Sequence, residues 1–133
     1  MFSLHQTLEA DTVELARWPL CRVLLMNESR YPWLILVPER PGLKDLHDMS
    51  PEDLTLVMAE IIKASEALEK VYKPHKTNVA ALGNVVEQLH IHVIARYMDD
   101  PAWPAPVWGK FPPTPYSDGM LSEAVSNLTC AWA

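Results

Sequence analysis

The stretch Gln88-Leu89-His90-Ile91-His92-Val93-Ile94-Ala95-Arg96 puts two of the chain's five histidines two residues apart. In extended backbone that spacing points both imidazoles the same way, with Gln88 beside them and Leu89, Ile91 and Val93 on the opposite face. Three chemistries use such a pair. Both rings could grip a metal, but further ligands are required, and no Asp, Glu, Cys or His stands at a suitable spacing. His5, His47 and His75 each stand alone in loop or helix-end surroundings and read as exposed. A neutral imidazole, with an ordinary pKa near about 6.5, is a good nucleophile toward phosphorus at neutral pH. The second ring could then steady the charge of the phosphoryl group under attack. Alternatively, the same residues could hold a phosphate without turnover. Histidines on a half-exposed strand are also often just tolerated polar residues, so the pair alone leaves these readings open.

The elements that must position the pair can be read from hydrophobic period and punctuation. A short helix is predicted over 3–10, and strands over 12–17, 20–26 and 33–37. Asn27-Glu28-Ser29-Arg30 supplies turn chemistry for an antiparallel hairpin between the last two, and Pro32 and Pro38 bracket the third strand. Ser50, Pro51 and Asp53 form a helix start, and apolar residues at helical spacing from Leu54 to Val71 predict one long helix over 51–72, stopped by Pro74. Strands at 77–82 and 87–96 flank a turn at Gly83-Asn84. Six of the twelve prolines fall between Pro101 and Pro115, with Trp103 and Trp108 among them. That run cannot be regular structure, yet it is too apolar for a free linker. An ordered irregular segment laid over the body or over a partner subunit is expected, followed by a final helix over 119–132. The order strands, long helix, strands predicts an α+β domain with a mostly antiparallel sheet of about five strands.

The 133 residues suffice for one domain with a sizeable core. A net charge of −6 argues against binding a nucleic acid polymer through a general basic surface, but leaves room for a small phosphorylated ligand. Cys21 and Cys130 stand far apart with no CxxC and read as packed thiols in a reducing cytoplasm. The N-terminal residues lack the pattern of a signal peptide, and no apolar run approaches the ~20 residues of a membrane span.

QLHIHVIAR resembles the signature strand of the histidine triad (HIT) family, whose pattern is His-x-His-x-His with apolar x and apolar residues after it. Gln88 falls at the first histidine, His90 at the middle one and His92 at the last. The segment 24–38, LLMNESRYPWLILVP, is similar to the family hairpin that ends in an apolar run and Pro. KTNVAALGN matches the place of an Asn-bearing strand and a polar phosphate loop. PAWPAPVWG resembles a subgroup of bacterial HIT-like proteins. The resemblance spans about residues 3–97. It implies a single HIT-like domain over 1–133, with its core at about 3–97 and an irregular C-terminal extension over 98–133.

What the resemblance implies is a nucleotide hydrolase or nucleotidyl transferase acting on a phosphate ester, phosphoramidate or dinucleoside polyphosphate through a nucleotidyl-histidine. His90 is then the nucleophile and His92 stabilises the phosphorus under attack. Gln88 replaces a histidine with an amide that hydrogen-bonds but cannot titrate. Asn78 and Asn84 match residues that contact phosphate, and Asn27 one that contacts ribose; a strand-edge amide and a turn cap are their plainer readings. Val85 occupies a position where Ser or Thr often assists the leaving group, which valine cannot do. Pro32-Trp33 stands where Gly-His is usual and reads as a packing change. Arg96 reads as an exposed strand-end residue. The implied partners are a nucleotide substrate and a second copy of the chain in a homodimer, with no metal and no cofactor. The alternative is a nucleotide-binding protein with little or no turnover.

Overall fold

The computed structural model describes residues 1–133, in the order α1 (Gln6–Asp11), β1 (Thr12–Arg17), β2 (Cys21–Met26), β3 (Trp33–Pro38), a 3-10 turn (Leu46–Asp48), α2 (Pro51–Tyr72), β4 (Lys76–Ala80), β5 (Ile91–Arg96) and α3 (Asp118–Ala131). The five strands form one sheet in the order β1-β2-β3-β5-β4, and every neighbouring pair is antiparallel. This is the expected α+β class. The continuous apolar run of β3 suits its central place, where all six of its residues are buried.

Helix α2 begins where its cap lies. The Ser50 hydroxyl accepts from the Asp53 N–H, Pro51 opens the first turn, and Lys73 in left-handed backbone ends it before Pro74. Its Val57, Ile61, Ala64 and Leu68 pack against Val23, Leu34, Leu36, Ile91 and Val93 of the sheet. Glu60 faces inward from the same helix and is 4% exposed. Its carboxylate accepts from the Leu20 and Cys21 N–H groups at 2.9 and 2.8 Å, so it replaces strand partners at the entry to β2. Helix α3, capped by Ser117, adds Ala124 and Leu128 to this layer. Trp132 closes edge-on against Trp18 at 5.0 Å.

The opposite face of the sheet is also covered, and this changes the setting of the histidines. Leu24, Trp33, Ile35, Val37 and Ile94 on that face pack with Leu8, Val86, Ala102 and Val107. The last two come from the proline- and tryptophan-rich segment, which therefore forms a third, irregular layer on the body of this chain. Two anchors fix it. Asp100 accepts from the backbone of Tyr97, Ala102 and Trp103 and pairs with Arg96 at 2.8 Å. Further along, Glu28 accepts from the Thr114 N–H and from Arg30, whose guanidinium also donates to the Pro112 carbonyl.

Several sequence expectations shift here. β5 starts at Ile91, so Gln88 and His90 precede the strand, and β4 covers 76–80 in place of 77–82. The ladder fails earlier because Leu89 N–H donates to the Leu43 carbonyl, a partner outside the sheet. Arg96 is not exposed; it is 1% accessible, because the third layer buries it against Asp100, Asn78 and the Ala105 carbonyl. Cys21 is packed as expected, whereas Cys130 lies exposed on α3.

Candidate active site

His92 sits on β5 opposite Ile35, on the face covered by the irregular layer. His90 lies one alternation earlier, just outside the ladder. Both are buried, at 7% and 6% exposure, and their rings stand 4.9 Å apart, nearly edge to face. They line a cavity of about 540 Å³ shared by sixteen residues, nine of them hydrophobic. The walls come from the end of β2 and the following turn (Met26, Glu28, Tyr31), from the loop 82–86, and from 107–113 of the irregular layer. Gly83 lets the loop turn here. Its φ of +74° is left-handed, and a Cβ would meet the Val86 carbonyl at 3.3 Å.

The hydrogen-bond partners define the protonation of each ring. His90 Nδ1 lies 2.7 Å from the Gln88 carbonyl oxygen, which only accepts. Nδ1 therefore carries a proton, and in the neutral ring the lone pair is on Nε2. Trp33 Nε1–H donates to His92 Nδ1 at 2.9 Å, and an indole only donates. His92 is consequently neutral with its proton on Nε2. Burial, reinforced by neighbouring His90, pushes the His92 pKa down to about 3. The pair thus presents one nucleophilic nitrogen and one N–H donor, and neither needs a positive charge to do so.

The other proposed site residues divide. Asn84 lines the cavity, as does Val85, which is 92% exposed at its mouth. Gln88 contributes its carbonyl to His90, but its side chain faces the N-terminal segment: Oε1 accepts from the His5 N–H and Nε2 donates to the Ser3 carbonyl, both at 2.8 Å. Asn27 Oδ1 accepts from the Tyr116 N–H, and Asn78 Oδ1 accepts from Arg96. Neither asparagine is part of the cavity lining.

Residues to which the sequence assigned no chemical role complete the lining. Trp33 is more than a packing change, since it holds His92 by a hydrogen bond. Trp108 stacks edge-on against both Trp33 and His92, at 6.2 and 5.3 Å. Glu28 is the sole acidic lining residue, and no Lys or Arg joins it. Burial raises its carboxyl, but hydrogen bonds from Arg30 and Thr114 outweigh this and hold its pKa below the usual range. Tyr31 Oη and Trp108 Nε1 are the two buried side-chain atoms without a hydrogen-bond partner, and both residues line this cavity. The parity of Trp33 with Ile35 and Val37 was a usable signal. The contributions of 107–113 had none, because irregular backbone has no period to read.

The one trio of His and carboxylate groups close enough to share an ion is Asp45, His47 and Asp48, all exposed and without His90 or His92.

Comparison with known proteins agrees with this fold. A histidine triad protein of Bradyrhizobium japonicum superposes with a TM-score of 0.97 at 40% identity, covering 99% of this chain and 98% of its own. One from Marinobacter aquaeolei VT8 gives 0.96 at 44%, covering 99% and 96%, and one from Sinorhizobium meliloti 1021 gives 0.95 at 38%, covering 98% and 96%. No curated protein matches the chain. The HIT domain itself matches residues 7–99, from α1 through β5 and past both histidines. With most of its length matched in sequence and all five strands in place, the chain belongs to the HIT domain family.

Proposed function

We propose that this HIT-family protein transfers or hydrolyses a nucleotidyl group through a covalent intermediate on His90. The observation that carries the reading is the complementary protonation of the two rings, with a free Nε2 lone pair on His90 and an Nε2–H on His92 at the wall of one cavity. His90 Nε2 attacks phosphorus, the phosphorus–leaving-group bond breaks, and the leaving group departs with the bonding electrons and is protonated from water. The cationic nucleotidyl-imidazole keeps its Nδ1–H on the Gln88 carbonyl, which stabilises it. Water then attacks phosphorus and gives up a proton to the solvent, the P–N bond breaks with its electron pair returning to His90 Nε2, and a nucleoside monophosphate leaves. His92 donates its Nε2–H to a phosphoryl oxygen throughout. Asn84 adds an amide donor from the loop, and Tyr31 and Trp108 offer the unpartnered donors.

Among the substrates expected of the family, the cavity favours those of low charge. It holds no Lys or Arg, His92 is neutral, and the net charge is −6. A dinucleoside polyphosphate would bring several uncompensated anions into such a site, whereas a phosphate diester or phosphoramidate brings one. Leu82, Val85 and Phe111, all substantially exposed at the cavity, suit an apolar leaving group. Asn27 and Asn78, occupied internally, act by holding the layers that frame the site, and Gln88 acts through its backbone. The free cysteines fit a reducing, cytoplasmic setting.

Incubation with a nucleoside phosphoramidate radiolabelled in the nucleoside, a quench in alkaline denaturant that preserves the P–N bond, and gel separation should show labelled protein that is absent from His90→Ala. Turnover undiminished in His90→Ala would overturn the assignment. A second reading, nucleotide binding with little turnover, draws support from Val85 and from the diversion of the Gln88 amide to Ser3 and His5. Saturable binding of a nucleoside monophosphate with no adduct would favour it.

A further inference from the structure

We propose that Trp33 is a positioning residue that fixes His92 as a neutral Nε2–H donor, so that an indole does here what an ionisable side chain would do less selectively. This rests on the nucleotidyl-transfer reading for its consequence but not for its geometry. Trp33 opens β3 opposite Ile94, one alternation from the residue that faces His92. That diagonal is within reach of a large aromatic side chain. The indole spans it and donates to Nδ1 at 2.9 Å, in a position 8% exposed where water does not compete. Trp108 and the Trp33 ring itself pack against the imidazole, limiting its rotation.

The choice of residue has a chemical effect. A hydroxyl, an amide or another imidazole at position 33 could turn or change tautomer and let His92 exchange Nδ1–H for Nε2–H. Indole has a single polar group and it only donates. His92 is therefore held in one of its two neutral forms, the one whose N–H is on Nε2. Its lone pair is spent on Trp33, so it cannot act as a base toward His90 or toward water. The nucleophile and the donor are kept from exchanging roles.

The test uses the whole protein labelled with 15N. Long-range 1H–15N spectra at pH 7 should show His92 as the neutral Nε2–H tautomer, and His90 as Nδ1–H, with no substrate present. In Trp33→Phe, which keeps an aromatic ring but has no donor, His92 should move to a mixture of the two tautomers. On a nucleoside phosphoramidate, kcat should fall roughly 10- to 100-fold while KM changes less than about threefold. A wild-type His92 found as Nδ1–H, or charged, at pH 7 overturns the proposal even if Trp33→Phe fails to fold. So does a folded Trp33→Phe whose His92 tautomer and kcat are unchanged. Absence of turnover on every nucleotide tried would sink the enzymatic reading alone, since the tautomer is measured without substrate.

Discussion

His92 couples the site to the acid stability of the fold. In the unfolded chain it returns to a pKa near 6.5, while the folded chain refuses the proton until pH about 3. The unfolded state thus binds more protons between these limits, and folding stability is full above about pH 6.5 and falls as the pH drops through the window. The slope is at most about 1.4 kcal/mol per pH unit. Urea denaturation at pH 7.5, 5.5 and 4.5 should show this decline, and a His92→Asn variant, whose amide oxygen can still accept from Trp33, should show a shallower one over the same window. Asp100 acts in the same sense at lower pH. Burial raises its carboxyl, but hydrogen bonds from Arg96, Tyr97 and Trp103 more than offset that and depress the pKa. Its contribution is present above the ordinary carboxylate value of about 3.9 and is lost as pH falls through the depressed one. Acid unfolding therefore steepens below about pH 4.

The elements around the site depend on a few buried polar residues. Glu60 on α2 supplies both acceptors for the Leu20 and Cys21 N–H groups at the start of β2. Glu60→Ala strands two buried donors and should cost roughly 2–5 kcal/mol of unfolding free energy. Removal of the Ser50 cap by Ser50→Ala should cost only about 1 kcal/mol, because water reaches that helix end. Arg96 and Asp100 tie β5 to the irregular layer, with both side chains 2% exposed. Asp100→Ala leaves a buried guanidinium partly unpaired and should cost about 3–5 kcal/mol. It should also loosen Trp108 against His92, which tryptophan fluorescence can follow separately from global unfolding.

At the scale of the molecule, the proposed homodimer has two exposed apolar features to use. Leu54, Met58 and Ile62 repeat every four residues along α2 and are 38–57% exposed, on the side turned away from the sheet. β4 lies at the sheet edge with Val79 exposed and its outer hydrogen-bonding groups unpaired by any strand. A homodimer through these features is the expected outcome, and sedimentation at micromolar concentration should report twice the 15.0 kDa chain mass. Met58→Glu should shift it to monomer with little loss of fold, since this residue packs on nothing within the core. No helix is long and apolar enough to cross a membrane.

Much of this architecture was written in local chemistry. Alternation and apolar runs marked all five strands, Ser50-Pro51 and Pro74 marked the ends of α2, and the spacing of His90 and His92 brought both rings to one cavity. Those features are legible because period, cap and breaker act over a few neighbouring residues. The tertiary structure decided the rest. Whether the histidine face met water or a third layer depended on where 101–116 came to lie, and irregular backbone carries no pattern that says so. Arg96 became buried, and Asn78 was drawn to it, for that same reason. The protonation of His90 and His92 likewise follows from a carbonyl two residues away and an indole fifty-nine residues away. The sequence thus determined which atoms could do the chemistry. Only the fold, by choosing their hydrogen-bond partners and excluding water, decided which ring nitrogen faces an acceptor and which faces a donor.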